Sequence, residues 1–535
     1  MHLLRIAHVL GPKITFLGLR RPHSFVPRRR TKRGTADFTS RDHILHRDIL
    51  QLLSQNGIAE QNVRVPDAVI DRFLFRKHSA NVLRNVHIVA QTAEADGLAV
   101  TRALQEKESA PASVISADVS SRKYTVLKVP KTVPGDVVDV VLRRHYRHYA
   151  EADLLAVTGA TSPKMRKDSL VVCGLFEKCL GCQLQMVTYE QQLAFKQSVI
   201  EKAYTYFYPL LDTRQISGFG CVVDSPMQYG YRTKLTPHTN PPRNLSNVQV
   251  PWPIGFEHVN GGKPLVDVHL CPIAVPSINQ TLPRLRDRFQ KDLQAMLDGK
   301  LKENLALTLL LRDSAVQLDS SERKCLTNHR KVVTETVGNK AFQFLANEFF
   351  QNNRSILPTF IDFLNYQITR ADGFKQIVDA YCGCGFLGIS LSDVVPNDGK
   401  VFGVEISETS IKYAMHNARL NGLSDKVKFA LGNSDNMFTH AEFLKARVAG
   451  PESVLIMNPS RKGSSKAFLR QVLQFKPRMI VYVSCNAFTQ ARDLNDLHEL
   501  QKDADVKYKV SSVTGFDFYP QTKHVESVAV LKMSD

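Results

Sequence analysis

Two side chains in this sequence stand where chemistry is often done. Cys485 follows the β-branched and aromatic run "MIVYVS", where a buried strand gives way to a polar, helix-like stretch. Glu526 opens the last apolar run, in "QTKHVESVAVL". A cysteine at a strand end is either core filler, being a small hydrophobe, or a nucleophile, because ligands gather at the carboxyl ends of strands in open α/β sheets. A positioned carboxylate can act as a general base, or it is a plain surface charge near a sheet end.

A third feature is the turn "DAYCGCGFLG", with Asp379, Gly383, Gly385 and Gly388, followed by Glu405 at the end of the next strand. Glycines there let the backbone approach a nucleotide closely, and a carboxylate in the second position can accept both ribose hydroxyls. A dinucleotide would rest its pyrophosphate on the following helix N-terminus. S-adenosylmethionine has no phosphate and can be held by a similar loop plus one acid. The spacing alone does not separate the two, nor either from a tight turn without a ligand.

These residues need a scaffold, and the patterning supplies one. From Gln376 onward the chain reads strand, glycine loop, helix ("QIVDAYCGCGFLGISLSD"), then strand ("KVFGVEIS") and helix ("ETSIKYAMHNARLNGL"), the helix closing at Asn421-Gly422 with C-cap chemistry. "SVLIMNPS" and "MIVYVSCN" are further strands. Such alternation implies a parallel, doubly wound α/β sheet. Upstream, Asp42 to Gln55 reads as a helix, and alternating segments from Asn85 ("NVHIVAQTA", "KYTVLKVP") suggest a small OB-like barrel of the kind that binds nucleic acids. Ser109 to Ser121 reads as a flexible insertion in it. Beyond Asn279 comes a long helical pattern, then "LALTLLLRD" as a strand.

The chain of 535 residues is too long for one core. Its 43% hydrophobic and 23% charged residues exclude wholesale disorder, and no apolar run reaches the ~18 residues of a membrane span. The net charge of +19 suits a polyanionic partner such as RNA or DNA, although charge alone also fits a merely basic protein. Nine cysteines, an odd number, argue for reduced intracellular thiols over a disulfide framework. The first 36 residues lack Asp and Glu and carry nine Lys or Arg, the composition of a mitochondrial transit peptide. The cluster from Arg28 to Arg33 equally fits a nuclear-type signal or an RNA-binding arm. Mitochondrial delivery is the expectation, with nuclear or cytoplasmic placement as the alternative.

In order along the chain stand "FFQNN" (Phe349 to Asn353), the Y-C-G-x-G loop, "NPSRKG" (Asn458 to Gly463), "VSCN" and "HVE". This ordered set resembles the RNA (uracil-5-)-methyltransferases that use S-adenosylmethionine, and the resemblance covers nearly everything from Asn85 onward. It implies a Rossmann-like methyltransferase domain (346–535), preceded by a central cysteine-containing α/β domain (163–345), a TRAM- or OB-like RNA-binding barrel (85–162), a helical or linker segment (41–84) and a basic presequence or arm (1–40). By the same resemblance Cys485 adds to uracil C6, Glu526 removes the C5 proton, and Asn458 stands where the family carries an aspartate that binds the base near the cofactor. Gln351, Tyr381, Gly383, Gly385, Glu405, Asn433 and Asn458 would contact S-adenosylmethionine. The target uridine must leave its stack to reach Cys485.

The sequence departs from the family pattern at Asn458 and Ser460, where the family has Asp and Pro, and at Phe386, which replaces a polar residue. An Asn carbonyl still accepts from uracil N3–H but supplies no negative charge. Cys173, Cys179, Cys182 and Cys271 match the iron–sulfur ligands of the rRNA-type branch. Four thiolates suit a [4Fe–4S] cluster, though zinc is also suited; Leu180 and Met186 depart from that branch, which leaves ligands without a cluster as the other reading. The expected function is S-adenosylmethionine-dependent methylation of uracil C5 in RNA, at the T-loop uridine of tRNA, by a monomer that binds no membrane. The alternatives are an rRNA uridine methyltransferase and a catalytically weakened RNA-binding or folding protein of the same family.

Overall fold

The computed structural model describes residues 38–59, 82–102, 124–146, 148–160, 165–241, 248–261, 264–301, 305–318 and 320–534. The expectations for the basic first 36 residues and for an insertion at Ser109 to Ser121 fall outside them.

Helix α1 (Arg41–Gln55) turns Ile44, Leu45, Ile49, Leu52 and Leu53 inward. Most of this stripe packs with Leu98, Tyr124 and Val126 of the next sheet along the chain. That sheet holds β1 (Val82–His87), β2 (Ala90–Gln91), β3 (Gly97–Arg102), β4 (Tyr124–Val129), β5 (Asp136–His145) and β6 (Ala150–Ala160) in the order β1-β5-β6-β4-β3-β2. Its two edge strands are consecutive in the chain.

The middle of the chain carries α2 (Tyr189–Phe207), β7 (Val222–Val223), β8 (Lys234–Leu235), β9 (Gly255–Phe256), β10 (Val266–Asp267), α3 (Pro276–Leu297), β11 (Leu311–Ala315), β12 (Arg323–Leu326), β13 (Val332–Val337) and β14 (Lys340–Leu345). A capping box of Thr188 and Gln191 starts α2. The small sheets are β10-β9, β12-β11-β8 and β13-β14. The strand expected in "LALTLLLRD" begins only at Leu311, where β8 and β12 offer partners on both sides.

After α4 (Leu357–Ile368) the doubly wound unit follows: β15 (Gln376–Ala380), α5 (Phe386–Ser390), β16 (Lys400–Glu405), α6 (Glu408–Leu420), β17 (Val427–Leu431), α7 (Ala441–Lys445), β18 (Ser453–Met457), α8 (Lys466–Phe475), β19 (Met479–Ser484), α9 (Ala487–Leu500), β20 (Lys507–Phe516) and β21 (Glu526–Ser534). The sheet order is β17-β16-β15-β18-β19-β21-β20-β7. The first five strands are parallel, β21 runs antiparallel to β19, and β20 antiparallel to β21. Every residue of β18 and β19 is buried, as strands covered on both faces require.

Alternate residues feed two cores. Ile377, Val401, Ile456 and Val481 pack under α4, α5 and α6. Val378, Phe402, Leu455 and Ile480 pack under α8, α9 and α2, which comes from far upstream. Each fully buried Val, Leu or Ile stabilises by roughly 1.5–3 kcal/mol, so the sheet's two layers dominate its rigidity. The winding reverses between β15 and β18, the crevice where such sheets bind ligands. Among the described residues no helix is long and apolar enough to cross a membrane.

Candidate active site

Parallel strands deliver the residues after them to one edge. Tyr381 follows β15, Glu405 ends β16, Asn433 follows β17, Asn458 follows β18 and Cys485 follows β19. Because β21 is antiparallel, its first residue comes to that same edge. The β19–β21 ladder ends on Ser484 opposite Ser527, so the next step along it sets Cys485 against Glu526.

The two groups share a cation. Burial, then the Glu526 charge, pushes the half-buried Cys485 thiol up to about 11, while the Arg461 guanidinium pulls it back by its charge and a hydrogen bond. Burial pushes the Glu526 carboxyl up to about 8, again opposed by Arg461. Arg461 is the arginine of "NPSRKG", a motif that carries the resemblance, but the sequence assigns it no role. Its part depends on β18 and β19 being neighbours, which the linear sequence does not display. The structure pins its loop firmly. Asn486 Nδ2 donates to Arg461 O at 3.1 Å, and Arg492 Nη2 to Lys462 O at 2.7 Å. Ser464 N–H and Tyr482 O–H each donate to Asp493 Oδ2 at 2.6 Å. Gly463 adopts φ +77°, and a Cβ there would lie 2.4 Å from Asp493 Oδ2, so the loop needs glycine.

On the β15–β17 side the edge is acidic and close to backbone. Glu405 accepts from Gly383 N–H at 3.1 Å and Ser407 N–H at 2.9 Å. Asp379 accepts from Gly388 N–H at 2.9 Å, and burial raises its carboxyl to about 7. Tyr381 holds a left-handed φ of +65°, costly for a bulky residue, with its hydroxyl 3.3 Å from Ser464 Oγ and its ring edge-on to Phe468. At Gly385, φ +85°, a Cβ would meet Phe429 at 2.7 Å. Phe386 packs edge-on against Phe342 and Phe350, which gives this departure from the family pattern an apolar seat. Through Phe350, the segment carrying Gln351 lies against the glycine loop.

Among the described residues, Gln351 Oε1 and Asp379 Oδ1 are buried without a hydrogen-bond partner, as acceptors reserved for a ligand would be. Asn433 is exposed and caps the next turn through Asp435 N–H at 3.0 Å. Asn458 N–H reaches Ala380 O at 3.4 Å, across the switch point. Helix α5 has only five residues, so its N-terminal field is weak. An acidic edge without a strong helix terminus fits a cationic, phosphate-free ligand better than a pyrophosphate.

The four clustered cysteines lie elsewhere. Cys173, Cys179, Cys182 and Cys271 line one cavity of about 290 Å³, whose wall includes Arg232 and Thr522 to His524. Burial pushes Cys182 up to about 12 and Cys271 up to about 11. Lys131 donates to the carbonyls of Cys179 and Cys182 and sits over the Phe176 ring. Among the described residues no group of three or more His, Cys, Asp or Glu side chains is placed to hold a metal ion.

A doubly wound sheet with an acidic glycine-loop edge beside a thiol, a carboxylate and a guanidinium defines a group-transfer fold that uses a phosphate-free nucleoside cofactor. Comparison with known proteins then gives the family. The profile of the tRNA (Uracil-5-)-methyltransferase family matches residues 281–534. The tRNA (uracil(54)-C(5))-methyltransferase of Schizosaccharomyces pombe is 37% identical over 419 residues, 77% of this chain and 74% of that protein. The enzyme of the same name from Saccharomyces cerevisiae is 32% identical over 502 residues, 84% of this chain and 73% of that one. Among solved structures, the Pyrococcus abyssi tRNA (uracil-54, C5)-methyltransferase in complex with S-adenosyl-L-homocysteine matches with a TM-score of 0.54 at 19% identity, covering 84% of this chain and all of that one, which speaks for the fold. This chain belongs to the tRNA (uracil-5-)-methyltransferase family.

Proposed function

We propose that the chain methylates C5 of a uracil in tRNA, at the T-loop uridine; both fungal relatives are named for uracil 54 of tRNA. The observation that carries this reading is the convergence of Cys485, Glu526 and Arg461 at the same sheet edge as the glycine loop and Glu405.

S-adenosylmethionine supplies the methyl group when bound; Gln351, Asp379, Tyr381, Gly383, Gly385, Glu405 and Asn433 are the residues that would hold it. Uracil C5 is a poor nucleophile on its own. Cys485 Sγ gives its proton to solvent and adds as thiolate to C6, and the C5=C6 electron pair moves onto C5 and O4, so that C5 becomes enolate-like. Arg461 stabilises that thiolate against the cost of burial. Once C5 has been methylated, the Glu526 carboxylate removes its proton, the C5=C6 bond re-forms and Cys485 leaves. Asn458 accepts from uracil N3–H and can donate to O4.

The test is methyl incorporation into unmodified T-arm RNA, with Cys485→Ala as control; unchanged activity in that variant would remove the mechanism. A second reading, an RNA-binding protein with weakened catalysis, rests on Asn458, which brings no negative charge to the base. It foresees tight, salt-sensitive RNA binding without product.

For the four cysteines the finer reading is a structural iron–sulfur cluster: thiolates suit it and all four line one cavity, but their side chains would have to close in to ligate it. About four iron and four sulfide per chain after anaerobic purification would support this, and fewer than about one would reject it.

A further inference from the structure

Helix α2 has an apolar inner face of Val199, Ile200, Ala203 and Tyr204, yet two polar residues one turn apart near its start are buried as deeply. Gln192 is 2% exposed and Lys196 fully buried. Both reach across more than three hundred residues of sequence to the connection between β20 and β21. Lys196 pairs with the fully buried Asp517 and donates to Tyr519 O at 3.0 Å. Gln192 donates through Nε2 to Gln521 Oε1 at 3.0 Å and accepts Gln521 N–H at 2.9 Å. Alternate residues of one connection, 517, 519 and 521, are thus held by two side chains of one helix.

The far side of Gln521 is held too. Its carbonyl accepts from Gln183 N–H at 2.9 Å and Leu184 N–H at 3.0 Å, and its backbone takes φ +70°. Tyr231 O–H donates to Pro520 O at 2.9 Å, and Asn353 Nδ2 to Phe518 O at 3.2 Å. Hairpin connections are ordinarily mobile surface segments. A buried ammonium–carboxylate pair stabilises no more than apolar side chains of the same volume would, so these contacts set position more than stability. Glu526 is the first residue after this connection, paired with Phe516 where the hairpin closes.

Resting on the methyltransferase reading above, we propose that Gln192 and Lys196 are positioning residues for Glu526, acting on the proton-removal step and not on methyl transfer. In that step the Glu526 carboxylate takes the C5 proton of the methylated adduct. The C5–H electron pair becomes the C5=C6 bond, the C6–Sγ bond breaks, and its electrons leave with Cys485 as thiolate. A displaced Glu526 leaves thiol addition and methylation intact and strands the enzyme on its RNA.

The experiment uses the full chain, wild type and Gln192→Leu, with S-adenosylmethionine and unmodified T-arm RNA. Product is followed by nucleoside analysis, covalent enzyme–RNA by denaturing gel, and folding by the thermal midpoint. Gln192→Leu is expected to form product about ten- to a hundred-fold more slowly, while its methylated, denaturation-resistant adduct rises several-fold above wild type. Gln192→Glu, which keeps length and the acceptor for Gln521 N–H, is expected to recover part of the turnover. Adduct and turnover falling together, or turnover like wild type, would overturn the proposal. If Gln192→Leu shows no thermal transition, Gln192→Glu is read alone: adduct accumulation supports the proposal and its absence overturns it. Wild-type protein that forms neither product nor adduct defeats the methyltransferase reading itself, a result separate from any variant's.

Discussion

Cys382 and Cys485 occupy like positions in one sheet: each follows a parallel strand and sits at its carboxyl edge, one beyond β15 and the other beyond β19. Their surroundings differ in sign. Cys382 is buried and faces Asp379 and Glu405, and both burial and those charges push its thiol well above the ordinary value. Cys485 is half-buried and meets one carboxyl, Glu526, but also Arg461, which favours its thiolate. Placement at a ligand-binding edge therefore does not make a nucleophile. What separates the two thiols is a cation within hydrogen-bond reach, which at Cys485 opposes the rise that burial still dominates.

The largest effect that can break this contrast comes from removing each sulfur. Cys485→Ala should lower methylation by at least ~10⁴-fold, whereas Cys382→Ala should keep it within about three-fold at a cost near 1 kcal/mol in stability. Equal losses in a methyl-incorporation assay would erase the distinction.

Glu526→Gln comes next, with a drop of ~10²–10³-fold in turnover and accumulation of adduct. The same variant reports on pH. Burial holds the folded Glu526 carboxyl up to about 8, so only a fraction is ionised and able to act as base at neutral pH, but the unfolded side chain ionises near its ordinary value of 4.5. Between those values the native state binds the extra proton, so stability falls as pH rises. Glu526→Gln removes that liability and should stabilise the protein at pH 8 by about 1–3 kcal/mol, read from thermal or urea unfolding, and by nearly nothing at pH 4.

Arg461→Leu should slow adduct formation by roughly 10–100-fold, the worth of a hydrogen bond to a charged group. Its rate should keep climbing with pH beyond the point where wild type levels off, because the thiol then lacks its cation. An unchanged pH profile would detach Arg461 from the thiol. The smallest effect concerns Asn458, which follows β18, between the two cysteine-bearing strand ends. Asn458→Asp should raise turnover by roughly two- to ten-fold by restoring a charge beside the base, measured under saturating RNA.

Much of this edge was legible in the sequence because strand ends announce themselves. The apolar runs stopping at Ala380, Met457 and Ser484 placed the glycine loop, Asn458 and Cys485 at the ends of successive parallel strands, and the doubly wound α/β class followed from them. Glu526 was legible as a strand start but not as a neighbour of Cys485, since only the antiparallel entry of β21 brings it round. Asp493 and Gln192 were not legible as parts of the site, and Arg461 stood in a family motif without an assigned role. Their roles arise from contacts between elements far apart in sequence, which no local periodicity encodes. Nor did composition reveal that α2 crosses to cover the sheet, because an amphipathic helix does not name its partner.

The most direct measurement is incubation of the protein with S-adenosylmethionine and T-arm RNA carrying 5-fluorouridine at the target position. Fluorine at C5 cannot leave as a proton, so the methylated adduct should survive denaturation. Mass spectrometry of the digested complex should find the nucleotide on the peptide containing Cys485. Absence of any adduct, or its mapping to Cys382 or another cysteine, would contradict the assignment of Cys485 as the nucleophile.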